Sequence, residues 1–309
     1  MIARNGMQKL RNGGKMRQIP ISVAVACIAT SPAMAADETP AGTANAPQWS
    51  LAVAGGSTVI DGGGDQPFLR VAMTRFLDEG YIYAAGTHFA VRDAFGVVDI
   101  VPASTWQAAI GGGRTFGKVT LDGYAAIGWR TFKGEEFLRR GGRAITIDSK
   151  GKTLSGGLSI TYQIDLDERS ALSPFVAGDI SRIDTARAIE VAGRGTIAQE
   201  ERQNSTTGSI GFTIDRLVGP EGDHRVEAYG GFVTTSNSAV SIRSSAPIDA
   251  ARLFGPQDYP GFGQTWGEYG ASATLTVAEP LLLDVSAVRT AGFRGGESTN
   301  LFAGLRYRF

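Results

Sequence analysis

The residues best suited to chemistry are few in this chain. The sequence has 2 histidines and 1 cysteine, which is too little material for a zinc or similar metal cluster. His88, in the run Thr87-His88-Phe89-Ala90, could act as a general base, but no serine or asparagine partner stands beside it in a local motif. We therefore predict no catalytic residue, no metal and no cofactor. His224 is interpreted as a residue at a turn.

Charged residues recur inside otherwise apolar stretches, and they form the second group of candidates. A charge removed from bulk water must be paired or hydrated, because desolvation of a lone charge is costly. Two interpretations stay open: an internal network of ion pairs, or the lining of a pore that selects solutes. The candidate lining residues are Arg70, His88, Arg92, Asp122, Arg130, Arg225, Glu227, Arg306 and Arg308, and Glu268 and Asp284 follow the same pattern.

These residues are positioned by segments with a period of two. Over 119–131, 153–165 and 268–277, apolar residues alternate strictly with polar or small ones, which is typical of a strand with two unlike faces. Glycine accounts for 42 of the 309 residues, about twice its usual ~7%. Its concentration with Ser and Thr on the polar face suits the interior of a closed sheet.

The segment 80–93 carries the candidate base. The alternation in this segment predicts that His88 and Arg92 lie on the inner face. It predicts that Tyr81, Tyr83 and Phe89 face lipid.

About twelve such segments can be counted, and ten or fourteen stay possible. Short gaps alternate with long ones at 94–102, 132–152, 185–205 and 237–263. Segments of ten to fourteen residues are too long for a soluble β-sandwich, whose strands average about five or six, and they match the ~9–11 residues of a membrane-crossing strand. The fold class predicted is all-β, a transmembrane antiparallel up-and-down β-barrel. The predicted strands are 49–60, 66–77, 80–93, 103–116, 118–131, 153–165, 171–184, 206–216, 223–236, 264–278, 280–292 and 298–309.

The amino-terminal region differs in composition from the rest. Residues 1–18 hold five basic and no acidic residues, and an apolar run ends at Ala33-Met34-Ala35, which is the pattern of a secretory signal peptide. We predict a signal peptide at 1–35, a periplasmic linker at 36–48 and the barrel at 49–309. Removal of 1–35 leaves 30 − 5 = 25 basic against 30 acidic residues, so a nucleic-acid partner is not expected.

The carboxyl end has its own signature. The chain ends Leu-Phe-Ala-Gly-Leu-Arg-Tyr-Arg-Phe, with Leu305, Tyr307 and Phe309 on one face. This end resembles the last strand of Gram-negative outer-membrane barrels and, more narrowly, of autotransporter β-domains. The resemblance covers 49–309 and implies a twelve-stranded barrel in the cell outer membrane. It also implies that the three aromatic and aliphatic residues are the assembly signal read by the barrel-assembly machinery. Only 36–48 precedes the barrel, so we expect a free-standing form without a passenger.

Two further expectations concern partners and role. Arginines in the predicted loop 132–152 could pair with lipopolysaccharide phosphates, so outer-membrane lipids and lipopolysaccharide are expected partners. For function we rank a structural or surface-interaction barrel without catalysis first, because a twelve-stranded barrel has a modest interior. A passive channel for small solutes or ions is the alternative, and an outer-membrane lipid-modifying enzyme is the second alternative.

Overall fold

The computed structural model describes residues 48–61, 65–91, 103–132, 135–139, 143–191, 195–220, 223–237, 263–293 and 297–309. They form one antiparallel sheet of 14 strands. The predicted signal peptide and nearly all of the predicted linker lie outside the described residues. The strands are β1 (Trp49–Ile60), β2 (Asp65–Leu77), β3 (Gly80–Val91), β4 (Ala103–Phe116), β5 (Val119–Phe132), β6 (Glu135–Arg139), β7 (Arg143–Tyr162), β8 (Ile164–Asp167), β9 (Ser170–Val191), β10 (Gly195–Val218), β11 (His224–Thr235), β12 (Gln264–Ala278), β13 (Leu281–Ala291) and β14 (Ser298–Arg308).

The sheet closes on itself. β1 pairs with β14 and β7 pairs with β9, so each main strand has two neighbours. Two of the 14 strands are short additions: β6 pairs with the start of β7, and β8 pairs with the start of β9. The remaining twelve strands form the wall, which confirms the predicted twelve-stranded barrel. In the described part of the chain, no helix is long and apolar enough to span a membrane.

The two ends of the barrel differ. Residues 78–79, 117–118 and 279–280 form tight connections at one end, which we call the turn end. Both termini of the barrel also lie at the turn end, where two backbone hydrogen bonds join them. The amide of Trp49 donates to the carbonyl of Phe309 at 3.0 Å, and the amide of Phe309 donates to the carbonyl of Trp49 at 2.9 Å. The opposite end, which we call the loop end, carries the longer connections.

The period of two separates the faces of the wall as predicted. On β7, Leu158 is 64% exposed, whereas Ser159 is 6% exposed. The outward belt of apolar side chains continues around the wall through such residues as Val53, Ile127, Ile180 and Tyr269, all of them exposed. A closed sheet with this apolar exterior satisfies its backbone hydrogen bonds without water, as a membrane interior requires.

Three strands are longer than the sequence pattern predicts. β7, β9 and β10 have 20, 22 and 24 residues, so the loops predicted at 132–152 and 185–205 are wrong for most of their length. Above the apolar belt the outward face no longer needs apolar residues, since it meets water or headgroups. The alternation used to detect strands therefore stops before the strands themselves end.

The faces of β3 are the reverse of those predicted. Tyr81, Tyr83 and Phe89 are buried in the interior, whereas Ile82 is 51% exposed and His88 lies on that same outward face. The assignment of His88 to the lumen is therefore wrong. The reason is that both faces of this strand are mostly apolar, so hydrophobicity alone does not distinguish them. Packing decides instead, because Tyr81 and Tyr83 cluster with Ala72 and Ala85 inside the barrel.

Candidate functional site

The interior of the barrel holds large aromatic rings that lie over glycines of the wall. Phe68 on β2 and Phe302 on β14 stack with centroids 6.3 Å apart, on either side of β1. A Cβ at Gly56 of β1 would lie 2.6 Å from the Phe68 ring. Glycine at this point therefore lets two rings meet over the strand between them.

The same arrangement recurs around the wall. A side chain at Gly111 would collide with the ring of Tyr83, and one at Gly211 would meet Phe175 at 2.7 Å. Phe175 in turn stacks on Tyr229, with centroids 5.9 Å apart. Much of the glycine excess thus makes room for aromatic side chains that fill the interior.

Asp122 is the acceptor at the centre of one interior cluster. It is 8% exposed, and it accepts hydrogen bonds from the hydroxyl of Tyr81 and, at 3.4 Å, from that of Ser159. Tyr81 is on β3 and Asp122 on β5, so the bond passes over Gly113 of β4. A Cβ at Gly113 would collide with the Asp122 carboxylate. The cluster joins side chains of β3, β5 and β7 from within, and it spans four adjacent strands because β4 lies between β3 and β5.

Near the turn end, Arg225 is enclosed by two acidic groups. Its guanidinium lies 3.3 Å from Asp215 and 3.1 Å from Glu227, and all three side chains are at most 11% exposed. Ser272 donates a further hydrogen bond of 3.2 Å to Glu227. An ion group this enclosed is held by mutual pairing, because each charge has lost most of its water.

A second ion pair lies beside the seam of the barrel. Arg306 donates to Asp284 at 2.9 Å, and Thr274 donates to the same carboxylate oxygen at 2.7 Å. Arg308 lies one inward position further along β14 and is half-buried. These groups belong to three adjacent strands, so the contact braces the wall where its ends meet.

Glu268 organises the interior nearer the loop end. Trp266 and Tyr229 donate to its two carboxylate oxygens at 2.7 and 3.1 Å. Trp266 also packs edge-on against Phe293, with centroids 5.0 Å apart, and Val233 completes that buried group.

The remaining predicted lining residues have mixed positions. Arg70 and Arg130 are 2% and 3% exposed and lie on the inner face, on β2 and β5. Arg92 lies outside the described residues. Sequence reasoning missed the partners of the interior carboxylates, namely Tyr81 and Ser159 at Asp122 and Tyr229 at Glu268. Glycines placed beside inward aromatic positions are the signal that could have indicated them.

His88 has a different surrounding from the one predicted. Its Nε2 lies 2.8 Å from the hydroxyl oxygen of Ser104, and its ring packs at 4.5 Å on Trp106, which is 62% exposed. A serine beside a histidine can form an activated nucleophile when a third group orients the base. In the described part of the chain, no carboxylate or amide bonds to the second ring nitrogen of His88.

A cavity of about 370 Å³ opens at the turn end. Charged residues at and near two connections line it, including Asp167 at the end of β8, Arg169, Asp223 and Arg225 near the start of β11. His224 lies at this rim, and its Nδ1 accepts the backbone N–H of Thr276 at 3.2 Å. No cluster of three or more potential metal ligands occurs among the residues that the structure describes.

An exposed ion pair joins two connections at the same rim. Lys118 donates to Asp165 at 2.9 Å, and Gln163 donates to the same carboxylate at 3.0 Å. The hydrogen bond from Lys118 is the main reason why the pKa of Asp165 is lowered, and the bond from Gln163 adds to it. The same pairing raises the pKa of Lys118.

A closed twelve-stranded barrel with an apolar exterior and a polar and aromatic interior is the architecture of outer-membrane β-barrel proteins. The model of the autotransporter beta-domain family matches residues 101–287, which is more than half of the chain. The chain belongs to this family. No curated protein sequence matches it.

Two solved structures have the same fold. The translocator domain of the autotransporter NalP from Neisseria meningitidis has a TM-score of 0.66 at 10% identity, covering 89% of this chain and 93% of that one. The beta domain of the Bordetella autotransporter BrkA has a TM-score of 0.58 at 17% identity, covering 86% of this chain and 100% of that one. At these identities the likeness shows the fold alone, and it agrees with the resemblance found at the carboxyl end.

Proposed function

We propose that this protein resides in the outer membrane of a Gram-negative cell as a structural barrel that presents an external surface, without catalysis. In this orientation the turn end is periplasmic and the loop end extracellular, as in other bacterial barrels. The observation that carries the proposal is the filled interior. Aromatic rings over Gly56, Gly111 and Gly211, together with the two enclosed ion groups, occupy the space that a wide pore would need.

The surface to be presented is the extension of β7, β9 and β10 above the apolar belt. These strands are the longest of the wall, and continuous hydrogen bonding joins them up to the level of Val191. A raised sheet holds its shape better than separate loops, so it suits contact with a partner outside the cell.

Planar-bilayer conductance separates this proposal from the passive channel. The cavity at the turn end is the observation that favours a channel, because it forms a charged entrance to the interior. For the structural role we expect no stable single-channel steps across the voltage range. Stable steps whose ion selectivity changes in Arg130→Gln or Arg70→Gln would establish the channel instead. Fractionation and heat-modifiable gel migration test the location, and a soluble periplasmic protein would contradict it.

Lipid hydrolysis is a second candidate, and it rests on the contact between His88 and Ser104. In such a reaction the Ser104 oxygen would attack a lipid ester carbonyl while His88 takes its proton. The ester C–O bond would then break, and His88 would return the proton to the departing lipid alcohol. Water would hydrolyse the acyl-serine, which releases the fatty acid and restores the Ser104 hydroxyl. The pair faces outward near the loop end, where lipid esters are accessible. Release of fatty acid from phospholipid vesicles, abolished in both Ser104→Ala and His88→Ala, would establish this activity. We expect no release, because no described group orients the histidine.

A further inference from the structure

We propose that the outward face of β7, β9 and β10, just above the apolar belt, binds the phosphorylated headgroup of an outer-leaflet glycolipid. This inference rests on the proposed outer-membrane location and adds a defined site to it. The site, which we call the cation row, comprises Lys150, Lys152, Arg182 and Arg202.

Strand register sets the spacing of the cation row. Lys152 and Arg202 lie directly opposite Asp184 from either side, on β7 and β10. Neighbouring strands are about 4.8 Å apart, so the two cations flank the carboxylate within roughly 10 Å. Arg182 is the next outward residue on β9, and Lys150 is the next on β7. The four cations therefore share one small patch of a rigid sheet.

Asp184 orients the two arginines and occupies only part of their donors. Arg182 donates to it through Nε and Nη2, at 2.9 and 2.8 Å. Arg202 donates through Nε at 2.8 Å. The Arg202 side chain is 63% exposed, and among the described residues only its Nε donates a hydrogen bond, so its terminal nitrogens face an oxygen anion outside the wall. A guanidinium held in one orientation favours bidentate binding of a phosphate.

The charge balance of the patch favours an anion. Its described outward residues comprise four cations against two carboxylates, Asp184 and Glu200. Lys150 and Lys152 are exposed, and no ion pair of theirs occurs among the described residues. Arg289, near the loop end on β13, differs from the two lysines because it is paired with both Asp61 and Glu297. Its guanidinium lies 2.9 Å from the Glu297 carboxylate. Among the described residues, the cation row therefore carries more positive than negative charge, whereas the cation on β13 is neutralised by its partners.

The surface that adjoins the cation row on its turn-end side fits acyl chains. Leu154 and Ile180, each the next outward residue toward the turn end, are 58% and 66% exposed. Trp129 lies directly opposite Lys152 on β5 and is 49% exposed, and tryptophan is enriched at the level of lipid headgroups. Cations beside a tryptophan and next to exposed aliphatic residues match an anionic headgroup joined to its own acyl chains.

Binding can be measured on the refolded barrel in neutral detergent. The probe is purified lipid A, with EDTA present so that divalent cations cannot bridge its phosphates to Asp184 or Glu200. Native mass spectrometry counts the bound molecules, and titration gives the Kd. We expect Lys152→Gln with Arg202→Gln to weaken binding at least tenfold. Arg289→Gln is the control for position, because it removes a loop-end cation outside the cation row, and its Kd should stay within twofold.

Three outcomes would overturn the proposal. An unchanged Kd in the double variant would show that the cation row does not bind the lipid. Equal binding of dephosphorylated lipid A, or of phosphatidylglycerol, would remove the phosphorylated glycolipid as the ligand. Equal binding of inorganic phosphate would show that the acyl chains make no contribution. Heat-modifiable migration of each variant verifies folding, and since conductance and fractionation use no lipid A, failure here leaves the proposed function to be judged separately.

Discussion

The Tyr81 hydroxyl donates a hydrogen bond to the Asp122 carboxylate across the whole width of strand β4. The bond is possible because Gly113, which lies beneath it, has no side chain. Interior side chains here therefore connect strands that the backbone ladder does not pair.

Gly113→Ala should destabilise the barrel by about 1–3 kcal/mol, the usual cost of overpacking. The added methyl group would lie where the Tyr81 and Asp122 oxygens now are, and it would force them apart. Unfolding in urea, followed by tryptophan fluorescence, measures the change. Gly86→Ala is the control, because a Cβ there meets nothing within 4 Å. Equal losses in the two variants would mean that general strand effects, and not the interior contact, dominate.

Arg225→Ala should cost about 3–5 kcal/mol, because it leaves Asp215 and Glu227 buried beside each other without a cation. Urea unfolding again provides the measurement. Arg114 also forms an ion pair, at 2.7 Å to Glu79, but both side chains are 63% exposed. Arg114→Ala should therefore give a change too small to resolve. If the Arg225→Ala variant instead has unchanged stability, water must reach the two carboxylates inside the barrel.

Phe309→Ala should reduce the amount of folded protein in the outer membrane severalfold if the last residue is an assembly signal. Phe116 provides a matched control, because it also lies at the turn end and is 54% exposed against 53% for Phe309. Heat-modifiable protein in membrane fractions measures assembly. Equal membrane levels of the Phe309→Ala and Phe116→Ala variants would make Phe309 an ordinary lipid-facing residue.

Asp165→Asn should lower stability at neutral pH but not at strongly acidic pH. A carboxylate whose pKa is lowered in the folded protein stabilises it above the ordinary aspartate pKa of about 3.9. That contribution disappears as the pH falls through the lowered folded value. The difference between variant and parent in urea midpoint should therefore vanish in acid. Asp78→Asn, at another turn-end connection, is the control, and a pH-independent difference would contradict the assignment.

The sequence predicts the wall well where the membrane imposes its pattern. The bounds predicted for β4 and β12, 103–116 and 264–278, are those of the structure. β7 begins at Arg143 and not at residue 153, since the alternation depends on lipid and ends above it. Detecting the upper part of such strands requires pairing information that a single sequence does not contain.

The interior is less predictable than the wall. The alternation of polar and apolar residues predicted that Asp122, Arg130 and Glu227 lie on the inner face. It could not predict the hydrogen bond between Tyr81 and Asp122, because these residues lie on strands that are not neighbours. It also failed on β3, where an aromatic inner face resembles a lipid-facing one. A contact between two side chains over a glycine on the strand between them is a three-dimensional relation, and a linear period does not report it.

The two hydrogen bonds between Trp49 and Phe309 also constrain the order in which the strands of the barrel can pair during folding. The hairpin partners of the wall are close in sequence, whereas the seam joins the first and last strands. For a free chain, closing a loop of this length costs roughly 3–4 kcal/mol more than closing a short hairpin. Until the final strand is in place, the sheet therefore has two unpaired edges, and we expect a protein that guides this chain into the membrane to hold those edges apart from other strands.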